Sequence, residues 1–175
     1  MAKKGKKQKK GSKPAKKAAK PGARKGGKKP AKKGVSLAPK MVKTGKGPTP
    51  GEVGLDLVGM FNSGQLAEIE KKYWSPGIVS IEGMGMSWAG RKAVEAKNSD
   101  WMSKHTLLGA SAEGPFVGAT GFAVKFRMDV EEKATGNRVA MEEVGVYTVR
   151  NGKIAVEEFM YGPMQVTPAG GAPTT

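Results

Sequence analysis

The sequence contains no cysteine, which excludes disulfides and thiolate chemistry. It contains one histidine, His105, too few for a histidine-rich metal site, and no other group of residues has metal-ligand spacing. Neither a metal nor any other cofactor is therefore expected. No apolar run approaches the roughly 20 residues that cross a bilayer, so a membrane partner is not expected either. A phosphate-cradling loop is also missing: GMGMSWAG at 83–90 has neither the strand-to-helix crossover nor the lysine that would make one. Acidic residues are absent from the first 51 positions, where Glu52 is still to come, and so are aromatics.

What fills that stretch is Lys, Gly, Ala and Pro. Nineteen of the 31 basic residues lie in it, so the rest of the chain carries a formal −3 although the whole carries +16. Residues 1–49 have almost nothing apolar to bury and are expected to be a disordered polybasic tail. Pieces such as KPAKKAAK and KKPAKKG resemble linker-histone tails in composition. Many lysines on a flexible chain grip polyphosphate by counterion release, without reading sequence. Nucleic acid or another polyanion, held through residues 1–46, is thus the expected partner, and a purely solubilising arm is the alternative. Base stacking is excluded because the tail lacks aromatics. No apolar segment of a secretory leader follows the charges. The expected location is cytoplasmic, with KKGKKQKK able to direct a nucleoid or nuclear one.

Residues 50–162 read as one α+β domain, and 163–175 as a flexible C-terminal tail. Leu55, Val58, Met60 and Phe61 give a helical pattern broken at Ser63-Gly64, and a second short helix runs from Gln65 to Tyr73. Ile78 to Glu82 is a strand, with Ser80 and Glu82 on the face opposite Val79 and Ile81. Gly83 and Gly85 imply a bend or a close backbone approach. From Gly90 a helix sets Val94, Lys97, Trp101 and His105 on one side. Strands are expected at Thr106–Ala112 and Gly121–Glu132, the latter with Phe122, Val124, Phe126, Met128 and Val130 on its apolar face.

The most informative stretch is RVAMEEVGVYTVRNGKIAVEEFMY, Arg138 to Tyr161. Asn151-Gly152 tolerates the positive φ angles of a type I′ turn, and a two-residue turn fixes the hairpin register. Arg150 then faces Lys153, Tyr147 faces Val156, Gly145 faces Glu158 and Glu143 faces Met160. On this register Glu143 and Glu158 share an apolar face with Val139, Met141, Tyr147, Val149, Ile154, Val156 and Met160. Two carboxylates on such a face cannot both stay ionised cheaply, so one is expected to bind its proton near neutral pH, as general acid/base work requires. The alternative is that each is paired with a Lys or Arg.

YWSPGIVSIEG, then SWAGRKAV opening a helix, then FRMDVEEKATGNRVAMEEVGVYTVRNGKIAVEEF, resembles the SnoaL-like branch of the nuclear transport factor 2-like superfamily over about residues 52–162. The resemblance implies a cone of strongly bent antiparallel sheet closed by about three helices, with a pocket inside, and frequently a homodimer. Members include polyketide cyclases, ketosteroid isomerases, dehydratases and non-enzymatic adaptors. Their enzymes place a carboxylate or histidine in the pocket and need no metal. The cyclase and isomerase Asp base, and the isomerase pair of Tyr and protonated Asp, find no matching motif here.

The candidate catalytic residues are accordingly Glu143, Glu158 and His105, which at a helix end can exchange protons or cap the last carbonyls. Tyr73, Trp74, Trp88, Trp101, Phe126, Met128, Tyr147 and Met160 are the candidate pocket walls for a small apolar or aromatic ligand, although such side chains are as readily plain core. Two readings follow. One is an isomerase, cyclase or lyase that uses a pocket carboxylate as base. The other is a non-enzymatic dimer whose paired tails bind a polyanion. An open pocket with unpaired glutamates favours the first; a closed cone with both glutamates in salt bridges favours the second.

Overall fold

The computed structural model describes residues 45–171. The polybasic segment expected to bind nucleic acid lies almost entirely outside the described residues. Three helices and six strands follow in the order α1 (Pro50–Asn62), α2 (Leu66–Tyr73), β1 (Trp74–Ile81), β2 (Ser87–Ala89), α3 (Arg91–Lys104), β3 (His105–Val117), β4 (Gly121–Glu132), β5 (Arg138–Arg150) and β6 (Lys153–Thr167). The strands form one sheet in the order β2-β1-β6-β5-β4-β3. Every pairing is antiparallel except β1 with β6, which is parallel. This is the α+β cone, an open curled sheet with helices packed across its inner face.

Local chemistry sets the first helix. Thr49 and Glu52 form a reciprocal capping box, and Pro50 sits at the first helical position, where its missing N–H costs nothing. Val53 and Leu57, one turn apart, bury fully against β3 and β4. Gly54 brings the helix close: a Cβ there would lie 2.7 Å from Pro115 and 3.0 Å from the Phe122 ring. Ile69 and Tyr73 anchor α2 in the same way. In α3 only Val94 is fully buried, because much of its inward face borders open space rather than packed core. The core itself is built from Ile78, Phe122, Val124, Phe126, Tyr147, Val149 and Ile154, each worth about 1.5–3 kcal/mol when withdrawn from water.

The hairpin turns at Asn151-Gly152, with φ of 51° and 71°. Arg150 faces Lys153 and Val149 faces Ile154, as expected; then the register slips. Thr148 faces Val156 and Tyr147 faces Glu157, which leaves Ala155 as an extra residue on β6, a β-bulge. A bulge reverses the inward face of everything after it. Gly145 consequently faces Phe159 rather than Glu158, and Glu143 faces Tyr161 rather than Met160. Beyond Gly162, where a frayed tail was expected, β6 continues to Thr167, which pairs with Arg138.

Candidate active site

The curl of the sheet and the three helices enclose a cavity of about 910 Å³. The inward register of β4 and β5 supplies Phe126, Met128, Glu143 and Tyr147; β1 and β6 supply Trp74, Glu157, Phe159 and Tyr161; α3 supplies Lys97 and Trp101. Of the expected walls, Trp74, Trp88, Trp101, Phe126, Met128 and Tyr147 line it. Tyr73 and Met160 do not. Tyr73 lies in the core and its hydroxyl donates to Asp56 on α1, which also pairs with Lys72. Met160 is 50% exposed on the outer side of β6, put there by the bulge.

The same slip removes Glu158, which is exposed, and substitutes Glu157, which is 3% exposed. Glu157 accepts a hydrogen bond from the Trp74 indole at 3.2 Å and another from the Ser80 hydroxyl. Burial nevertheless pushes its carboxyl up to about 7, against the lowering effect of those bonds and of Lys97. Glu143 stands where the sequence placed it. It has no hydrogen-bonding partner among the described residues, and burial first, then the charge of nearby Glu82, raises its carboxyl to about 7. Tyr147, packed between Phe122 and Phe159 (ring centroids 4.9 and 6.2 Å), is driven well above the usual phenol range by burial.

A polar chain runs along one wall. Tyr161 donates its hydroxyl to Glu82, Lys97 pairs with the same carboxylate, and Lys97 also donates to Ser80 at 3.0 Å. The ammonium lies over the Trp88 and Phe159 rings, 5.6 and 5.3 Å from their centroids. Gly83 makes the β1–β2 turn slim enough for this arrangement: a Cβ there would stand 3.2 Å from the Tyr161 ring and 3.1 Å from the Phe159 carbonyl oxygen. Three carboxylates thus share one ammonium. Ser80 and Glu82 form a polar pocket wall, one of the two places that strand alternation allowed for them.

His105 also lines the cavity, at the junction of α3 and β3, stacked on Trp101 at 4.5 Å. Its Nδ1 is 2.8 Å from the Trp101 carbonyl oxygen, one of the last carbonyls of α3. That contact is the helix-capping alternative, and it commits one ring nitrogen to structure. Among the described residues no cluster of His, Asp or Glu could hold a metal ion, and no helix is long and apolar enough to cross a membrane.

Glu157, Lys97 and Tyr161 were not singled out from the sequence as site residues, yet two signals pointed to them. The apolar residues of β6 change phase, from Ile154 and Val156 to Phe159 and Tyr161, as a bulge between them requires. Lys97 shares a helix face with Val94 and Trp101, an odd place for a lysine without an inward carboxylate to meet.

Comparison with known proteins agrees with this geometry. A family model described as a SnoaL-like domain matches residues 50–161. A solved structure from Mesorhizobium loti, assigned to the SnoaL-like polyketide cyclases, is 40% identical, with a TM-score of 0.62 over 65% of this chain and 100% of its own. An assigned isomerase from Bacillus subtilis is 15% identical, with a TM-score of 0.53 over 64% of this chain and 85% of its own. A protein of ketosteroid isomerase-like fold from Catenulispora acidiphila, solved with trimethylamine, is 9% identical, with a TM-score of 0.53 over 65% and 88%. The last two show the fold alone. No curated protein matches the chain. The chain belongs to the SnoaL-like domain family.

Proposed function

We propose that the domain binds a small apolar or aromatic carbonyl compound in the cavity and moves a proton next to the carbonyl, as a cofactor-independent isomerase, cyclase or lyase. The observation that supports this best is Glu143, a carboxyl without a partner that borders an apolar cavity and binds its proton near neutral pH. A base poised there exchanges protons in both directions at physiological pH. Glu143 takes the proton from the carbon, and the C–H electron pair moves into the carbonyl as an enolate. Protonated Glu157 or the Tyr161 hydroxyl is the hydrogen-bond donor available to the enolate oxygen. The enolate then regains a proton elsewhere, attacks a second carbonyl, or expels a leaving group, according to the substrate. His105 serves this site as a helix cap and an aromatic wall.

Neither Glu143 nor Glu157 has a salt-bridge partner, and this favours the enzyme over the adaptor reading. The polybasic segment, with nineteen basic residues and no acid in residues 1–51, would tether the domain to nucleic acid or another polyanion, in a homodimer through two such arms. That binding would weaken steeply with salt.

The test is α-proton exchange into heavy water, followed by NMR for the full-length chain with a panel of tetralones and β,γ-unsaturated cyclic ketones. At least one should exchange faster than in buffer, and Glu143→Gln should slow the catalysed rate by about a hundredfold or more. Catalysed exchange that survives in Glu143→Gln refutes the assignment.

A further inference from the structure

The lining of the cavity carries six carboxylates and two lysines. Both lysines are engaged, Lys97 by Glu82 and Lys104 by Asp100 at 2.7 Å. Two more acids are answered locally, Glu95 by Arg91 at 2.8 Å and Glu70 by the Asn98 amide at 2.9 Å. Glu143 and Glu157 remain without a cation, and of these only Glu143 lacks a hydrogen-bond donor. An anion entering this space would meet no uncommitted cation among the described residues.

The walls favour the opposite charge. Trp88 and Phe159 already present their faces to an ammonium, that of Lys97, and hold it in a largely buried position. Aromatic faces combined with a nearby carboxylate are the usual means of recognising amines and quaternary ammonium groups. Trp101, Tyr147 and Phe126 extend the aromatic lining, and the volume of about 910 Å³ is ample for a fused-ring frame.

We propose that this cavity takes an organic cation, an amine or quaternary ammonium carried on an aromatic or alicyclic frame, with its charge set against the Glu143 carboxylate. The inference rests on the cavity being the ligand site but does not require proton transfer there. An amino ketone would satisfy both, because a positive charge beside the reacting carbon acidifies its C–H bond.

A linked signature follows. The groups that face Glu143 are Glu82 on β1, Lys97 on α3, and Glu157 and Tyr161 on β6, with Tyr147 on its own strand. Burial and the Glu82 charge hold part of the Glu143 population protonated near neutral pH. A bound cation reverses that balance, so its binding expels a proton.

The experiment uses the full-length chain and three probes of one shape class: benzyltrimethylammonium, its neutral isostere neopentylbenzene, and phenylacetate. Affinities come from saturation-transfer NMR and calorimetry, and the latter, repeated in buffers of different ionisation enthalpy, counts protons released. The cation should bind at least about tenfold more tightly than the neutral isostere, a difference of about 1.4 kcal/mol. Phenylacetate should bind weakest, and a fraction of a proton should leave at pH 7. Glu143→Gln should erase the preference, while Glu143→Asp and the outward-facing Glu158→Gln should keep it. Equal or tighter binding of the neutral or anionic probe, binding by none of the three, or an undiminished preference in Glu143→Gln overturns the inference. A neutral preference together with Glu143-dependent exchange of ketones would sink this inference and leave the catalytic reading standing; cation selectivity without exchange would do the reverse.

Discussion

Replacing Glu157 by Gln should stabilise the protein in alkaline solution and do little in acid. The carboxyl is 3% exposed and binds its proton at about 7 in the fold, against about 4.3 in an unfolded chain. Between those values the folded state holds more protons than the unfolded state, so stability falls as pH rises through the window and levels off above it. The difference amounts to about 3 kcal/mol once both states are ionised. Gln keeps an oxygen to accept from the Trp74 indole and offers an amide N–H to the Ser80 oxygen, while removing the charge. The assay is thermal unfolding of wild type and Glu157→Gln at pH 5 and pH 8, with Glu158→Gln as the exposed control. For a domain of this size, the alkaline melting temperature should rise by about 10 °C in Glu157→Gln. At pH 5 the two should coincide within a few degrees, and Glu158→Gln should track wild type throughout. A Glu157→Gln protein that is less stable than wild type at pH 8, or whose advantage does not grow between pH 5 and pH 8, would refute the reasoning.

Other changes carry their own signatures. Lys97→Met strips the largely buried Glu82 of its cation and should cost about 3–5 kcal/mol at neutral pH; denaturant titration measures it, and the loss should shrink in acid. Removing that ammonium should also move the Glu143 and Glu157 titrations further up, since Lys97 lowers both. Gly145→Ala should cost about 1–3 kcal/mol in the same titration, because the new Cβ would lie 2.9 Å from the Tyr147 ring and 3.0 Å from the Phe126 ring. Tyr161→Phe should leave the melting temperature nearly unchanged, since the residue is 40% exposed, while slowing ketone exchange if its hydroxyl serves the enolate.

Glu143 was legible in the sequence because a two-residue turn counts outward without ambiguity along an unbroken strand, and β4 and β5 pair in continuous register from Gly121 to Glu131. Its expected companion was misplaced by one residue. Ala155 costs nothing to leave unpaired, being small and intrinsically neutral, so no glycine or proline announced the bulge. The inward place passed from Glu158 to Glu157, and from Met160 to Phe159 and Tyr161. Gly145 was read as leaving space beside a carboxylate; in the fold that space is filled by the Tyr147 and Phe126 rings. The Glu82–Lys97 pair joins β1 to α3 across fifteen residues, and each partner had been placed on its correct face. Only the packing angle between helix and sheet, set by tertiary contacts, brought the two faces together.

The central claim is that the cavity keeps a proton-exchanging carboxyl at Glu143. Carbon-detected NMR titration of the side-chain carboxyls in the full-length protein addresses it directly. The account predicts two carboxyls titrating near about 7, coupled to each other, with one signal lost in Glu143→Gln and the other in Glu157→Gln. Finding every glutamate titrating in the ordinary range near about 4.3, or a neutral-range signal that survives both substitutions, would contradict it.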